Sequence, residues 1–357
     1  MDKTVKAKDE LVHLSFMKVT AMVLVVFSHS TGFLDTPNMF WIEYHPEAPW
    51  NIMVYLTHTF VIWLVPSFIF VSGFLVARSQ EFHHYTVFEQ ITSRGKRLLV
   101  PWFCTMLFWL IPIALIFDIP MYGRPAGSGI LETYKAGFLG KCSFQLWYLL
   151  CLFWATLFWA FGIWLIKRFR YWEIPGFALA FAGMFCINNY CKDITFWNFW
   201  ESGQYILLMY LGIVIYKHRK KIDAFFYKRR ILSFVLFGGC FGLTFLESAV
   251  PWEYKAFISA VFVFLFYGAS LNIVGIWNTF FTNNKIFSFL NDNILLYYLL
   301  HSPTNFVVFY LLVNKMHLNK YAFFITEFVV VFIATTVFVL VFRLLGGEVR
   351  KKLRIAR

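Results

Sequence analysis

Ten continuous apolar runs, most of them near the length of a bilayer crossing, divide this chain. About 20 apolar residues of helix cross a hydrocarbon core of about 30 Å. Backbone amides in that core must bond within their own segment or in a closed barrel. The runs do not alternate apolar with polar, so a barrel is excluded. They fall at about 11–32, 52–76, 98–117, 143–166, 172–188, 203–216, 231–249, 256–276, 287–313 and 321–345. Composition agrees, with 60% hydrophobic and 14% charged residues, where a soluble chain carries about 25% charged. The expected fold is all-α: a polytopic transmembrane helix bundle of about ten spans. A cytoplasmic N-terminal segment at 1–10, a transmembrane domain at 11–345 and a basic cytoplasmic tail at 346–357 complete the expected organisation. The first run lacks a small-residue cleavage site and reads as a retained span.

Loop charge gives the bundle a direction. With the N-terminus inside, 25 of the 32 Lys and Arg fall on the cytoplasmic side and 7 outside. That asymmetry is the positive-inside pattern and places both termini in the cytoplasm. It also accounts for the net charge of +13 without nucleic acid, since no basic stripe lies on a polar fold. The six cysteines, Cys104, Cys142, Cys151, Cys186, Cys191 and Cys240, have no metal-ligand spacing. Cys186 and Cys191 flank an outer loop and either pack as free thiols or pair.

A few polar residues inside the runs stand out, because burying an ionisable group in lipid costs several kcal/mol unless it is paired or faces a cavity. Lys18 and His29 share the first run, about 16 Å apart along a helix axis. Lys18 falls near the cytoplasmic face and His29 toward the outer face. Histidine titrates near neutrality and suits a general base; it equally suits a hydrogen bond at a helix end. Arg94 and Arg97 share one helix face at i and i+3. They either hold a phosphate-bearing ligand or anchor the span. Ser72 and Gly73 fall near the inner end of the second run, where small residues let helices approach. Trp147 and Tyr148 read as interfacial aromatics. His301 sits among Ser302, Pro303, Thr304 and Asn305, a polar interruption of the kind that lines a cavity. Glu327 is an acidic residue well inside a run, with the histidines as candidate partners, His58 among them as a neighbour of His29. No phosphate-cradling Gly loop, HExxH, GxSxG or CxxC occurs, which argues against an ATP-driven pump or a zinc peptidase.

Taken together these residues resemble the membrane-bound acyltransferase-3 family. The likeness rests on Lys18, ten residues and His29; on Ser72-Gly73-Phe74; on Arg94, Arg97 and Pro101; on Trp147-Tyr148; and on Tyr298 to His301. Glu327 is similar to a late-span glutamate of the family. Lys18 departs from the family's usual arginine, keeping the charge and losing the fork geometry. The resemblance implies transfer of an acyl group, commonly acetyl, from cytoplasmic acyl-CoA to a sugar hydroxyl. It implies catalytic roles for His29 and Glu327, and substrate contacts for Lys18, Arg94, Arg97, Ser72, Trp147, Tyr148 and His301. Acyl-CoA would be a substrate, with no bound cofactor or metal. The implied partners are acyl-CoA, a carbohydrate or glycan acceptor, membrane lipid and glycan-synthesis proteins, in the inner or plasma membrane. The competing readings are a transporter or flippase of lipid-linked sugars and a scaffold of a glycan-synthesis complex.

Overall fold

The computed structural model describes residues 11–32, 49–83, 86–117, 127–141, 146–166, 171–244, 252–312, 316 and 320–355. Among them every regular element is helical. The elements are α1 (Val12–Gly32), α2 (Pro49–His83), α3 (Val87–Thr105), a π-helical turn (Met106–Leu110), α4 (Ile111–Ile116), α5 (Ile130–Phe138), α6 (Trp147–Ile166), α7 (Glu173–Tyr190), α8 (Phe199–Lys228), α9 (Arg230–Thr244), α10 (Trp252–Asn283), α11 (Lys285–Tyr310) and α12 (Lys320–Ile355). A 3₁₀ turn at Phe196–Asn198 leads into α8. Each expected apolar run coincides with a helix. By length and composition, six stretches among the described residues can cross a membrane: Val12–Ser30, Trp63–Gln80, Val87–Ile116, Trp147–Leu165, Ala256–Asn283 and Ile325–Leu345. The acidic outer stretch at 33–48, the terminal residues 1–10 and the side chain of His58 lie outside the described residues and side chains.

Several helices run past the apolar limits. The basic segment 217–228 continues α8 rather than forming a loop, because Lys and Arg are good helix formers and their stems lie along apolar surface while the charges reach water. The segment after the third run holds a helix of its own, α5. The third helix starts at Val87, well before the apolar run, at a capping box: the Thr86 hydroxyl accepts from the Glu89 amide, and a Glu89 carboxylate oxygen accepts from the Thr86 amide. Arg94 and Arg97 are therefore on α3 itself, and Pro101 lies inside that helix rather than in its first turn. The five cysteines whose side chains are described, Cys186 and Cys191 included, are free thiols.

The core is assembled around α2 and α8, which cross at unusually close range. A Cβ on Gly73 would overlap the carbonyl oxygen of Met209, and one on Gly212 would overlap the carbonyl of Phe70. Two glycines facing each other's backbones let the helices touch directly, as packing without a hydrophobic driving force requires. The first helix fills the groove between α2, α10 and α11. The start of α7 is tied to the basic part of α8, where Glu173 pairs with Lys217 and His218. The start of α7 and the basic end of α8 therefore share one side of the bundle.

Gly73→Val and Gly212→Val are each expected to destabilise the fold by about 1–3 kcal/mol or more, since backbone cannot yield as a side-chain tip does. Gly238→Val, whose Cβ would meet nothing within 4 Å, is expected to leave the thermal midpoint in detergent unchanged. A midpoint equal for all three variants would contradict the close crossing.

Candidate active site

Local sequence explains how α1 carries its two polar residues. The helix has leucine, methionine, alanine and valine on its buried faces, with Leu14, Met17, Ala21, Met22, Val25 and Val26 in the core. Lys18 and His29 are left on partly exposed positions of the same helix. Packing against α11 then decides what each one meets.

At the outer end, His29 Nδ1 lies 2.8 Å from His301 Nε2. The rings are inclined by only 4° with centroids 5.1 Å apart. A centroid separation so much longer than the N···N distance places the rings edge to edge in nearly one plane. That is hydrogen-bond geometry, not face-to-face stacking. His301 is fully buried, and its Nδ1 lies 2.9 Å from the Tyr297 carbonyl oxygen. One turn further along α11, Asn305 Nδ2 donates to the His29 backbone carbonyl at 3.0 Å. Residue 29 is thus held by its ring and by its backbone.

A file of aromatic and hydroxyl groups leads from this pair toward the arginines. The Tyr298 ring is 5.8 Å from that of His301, and Tyr148 meets Tyr298 edge-on at 5.3 Å. Tyr148 is hydrogen-bonded to Ser72 and lies within electrostatic reach of Arg94. Its ring also packs on Phe68 at 5.8 Å. Tyr148 is therefore an interior residue rather than an interfacial one. Trp147 likewise turns inward, against Tyr205 at 5.8 Å. The reason is that α6 packs along both α3 and α8, which encloses its first turn.

At the inner end, Lys18 is within electrostatic reach of Asp292 and Arg97. Arg94 and Arg97 also interact with each other. Lys18 of α1 therefore lies between the field of Asp292 on α11 and that of the arginines on α3. Sequence reasoning did not single out Asp292; its only signal was a charge one turn into the ninth run. It also passed over the Tyr297 carbonyl, which no side-chain motif could reveal.

The structure does not join Glu327 to either imidazole. Its side chain is fully buried on α12, and neither carboxyl oxygen has a hydrogen-bond partner among the described residues. The neighbouring Phe328 packs on Phe27 of α1 at 5.3 Å. The acidic partner expected for His29 is replaced by a second histidine, because α11 and not α12 faces the ring edge of residue 29. No group of three or more His, Cys, Asp or Glu suited to a metal occurs among the described residues.

A family model described as an acyltransferase domain matches residues 12–344. The chain belongs to the acyltransferase-3 family. No curated protein and no solved structure matches it. Family membership and the apolar helices together make the chain a membrane acyltransferase. The matched region spans every residue of the site, from Lys18 on α1 to Glu327 on α12.

Tyr148 is the joint of the file in this acyltransferase. Tyr148→Phe removes the hydroxyl bonded to Ser72 and is expected to cost about 1 kcal/mol. Tyr148→Ala also removes the ring between Phe68 and Tyr298 and is expected to cost about 3–5 kcal/mol. Thermal unfolding of the purified protein in detergent checks both. Equal midpoints for the two variants would mean that the ring packs on nothing.

Proposed function

We propose that the chain is an integral membrane O-acyltransferase that moves an acetyl group from cytoplasmic acyl-CoA to a hydroxyl of a sugar or cell-surface glycan, in the cell membrane. One observation carries the reading. Lys18 and His29 stand toward opposite ends of α1, the first beside the arginines of α3 and the second bonded to His301, with Tyr298 and Tyr148 packed between the two groups. Their separation of about 16 Å along α1 suits a donor whose charged head stays at the inner face while its acyl end reaches the histidines.

Arg94, Arg97 and Lys18 hold the phosphates of the donor. Arginine does so through its planar fork, Lys18 as a point charge. Asp292 holds Lys18 in place beside Arg97 and limits the repulsion among the cations when the donor is absent. Ser72, Tyr148 and Tyr298 line the way of the thioester arm. His29 removes the proton of the acceptor hydroxyl as its oxygen attacks the thioester carbonyl. The new C–O bond forms, the C–S bond breaks, and the thiolate leaves with the proton that His29 took up. Both reacting partners are held within reach of one imidazole, which supplies much of the acceleration through proximity.

The test is incubation of membranes containing the protein with acetyl-CoA labelled in its acetyl group, followed by tracing of the label. Label is expected in a glycan hydroxyl ester, with the rate lowered about 100-fold or more in His29→Ala. Arg94→Ala and Arg97→Ala are expected to raise the KM for acyl-CoA about tenfold or more with a smaller effect on kcat. Substrate movement across the membrane without consumption of any acyl-CoA would replace this reading with a transporter. Full acyl transfer in His29→Ala would remove His29 from the mechanism.

A further inference from the structure

We infer that His301 is the positioning residue that fixes the tautomer of His29, and that the carbonyl of Tyr297 fixes His301 in turn. The inference deepens the acyl-transfer reading and rests on it for its kinetic consequence, although the tautomer itself is a property of the resting protein.

Hydrogen-bond roles pass from the carbonyl to one ring and then to the other. A neutral imidazole carries one N–H donor and one bare acceptor nitrogen. A backbone carbonyl can only accept. His301 Nδ1 sits 2.9 Å from the Tyr297 oxygen, so Nδ1 carries the hydrogen and Nε2 is bare. That bare nitrogen faces His29 Nδ1 at 2.8 Å, in the plane of both rings. The bond between the histidines therefore needs a hydrogen on His29 Nδ1. His29 Nε2 is then left with its lone pair, and it is the atom that receives a proton. Residue 29 is only partly buried, whereas His301 is fully buried. The reactive nitrogen is thus on the less buried residue of the pair.

The helix geometry makes this possible. A carbonyl oxygen has two lone pairs, so Tyr297 accepts from the His301 ring as well as within the helix. His301 and Asn305 are one turn apart on α11 and face the same neighbour. The first holds the ring of residue 29, and the second holds its carbonyl. The bond to His301 keeps Nδ1 of the His29 ring turned toward α11, while Asn305 holds the backbone beneath it.

The relay also has a fixed end. When His29 Nε2 takes the hydroxyl proton, Nδ1–H still points at His301 Nε2. Even if that hydrogen shifted across, the His301 Nδ1 hydrogen could go no further, because an amide carbonyl does not accept a proton at any ordinary pH. The proton is held within the pair until the leaving thiolate takes it. A neutral carbonyl at the base of the relay replaces the buried carboxylate that orients histidine in many hydrolytic sites, and it avoids placing a charge in a bilayer interior.

Three variants and one spectrum test the inference in the full-length protein reconstituted in lipid. His301→Leu removes the acceptor and is expected to lower kcat about 100-fold while the KM values for acyl-CoA and acceptor stay within about threefold. His301→Gln offers a side-chain carbonyl to His29 Nδ1–H and is expected to recover at least about tenfold of that loss. Asn305→Leu is expected to lower kcat less than His301→Leu does. In the wild-type protein, the ¹⁵N spectrum of the His29 ring is expected to show a protonated Nδ1 and a bare Nε2. The reverse assignment would overturn the inference whether or not the variants fold. So would an unchanged kcat in His301→Leu, or a loss confined to the KM for the acceptor, which would make His301 a substrate contact. If His29→Ala keeps full transfer while the spectrum is as expected, the tautomer stands and the catalytic reading of His29 fails.

Discussion

Polar groups buried among transmembrane helices have no bulk water to bond to, so each one must find a partner or leave a cost behind. The arrangement of α1 against α11 follows from that constraint. His29 could not sit alone at its depth. Its ring is bonded to His301, its carbonyl to Asn305, and His301 to the Tyr297 carbonyl. Three polar side chains and two backbone oxygens are bonded together across two helices, with Asn305 Oδ1 left without a partner among the described residues. The same network that makes the histidine tolerable also aims it. Structural necessity and chemical orientation are here one set of hydrogen bonds, which accounts for His301 and Asn305 standing one turn apart on α11.

The rest of the bundle keeps that network in register with the cations. The α2–α8 crossing is set by Gly73 and Gly212, and Ser72 adjoins the first of these glycines. Its bond to Tyr148 therefore has a fixed origin. Tyr148 in turn sits between Arg94 and Tyr298. The capping box at Thr86 and Glu89 fixes where α3 begins, and so where Arg94 and Arg97 fall around its circumference. Each contact is modest alone. Together they hold two chemical centres at a separation that the rise of α1 dictates.

Glu327 and Asp292 show how sequence distance misleads. Glu327 is a rare intramembrane acid, and the sequence offers it as the natural partner of an imidazole. Its helix instead meets α1 through Phe328 against Phe27. Asp292 looks like an ordinary helix-end charge. Packing brings it within electrostatic reach of Lys18. Trp147 and Tyr148 have the composition of an interfacial belt, yet α3 and α8 enclose them. In all three cases the residue type was readable and the neighbour was not.

The sequence by itself determined the all-helical membrane architecture and the positions of the helices to within a few turns, and it singled out His29, His301, Lys18, Arg94 and Arg97 as candidates. It could do so because hydrocarbon imposes length and polarity along the chain, one residue at a time. It also carried the family, through motifs whose order is a linear property. The tertiary structure decided which polar residues pair. It set His301 rather than Glu327 against His29, gave Lys18 a carboxylate neighbour, and drew Tyr148 inward between the two ends. Those outcomes depend on the rotation of each helix about its axis. That rotation is fixed by close packing against several neighbours at once, which no single segment of sequence encodes.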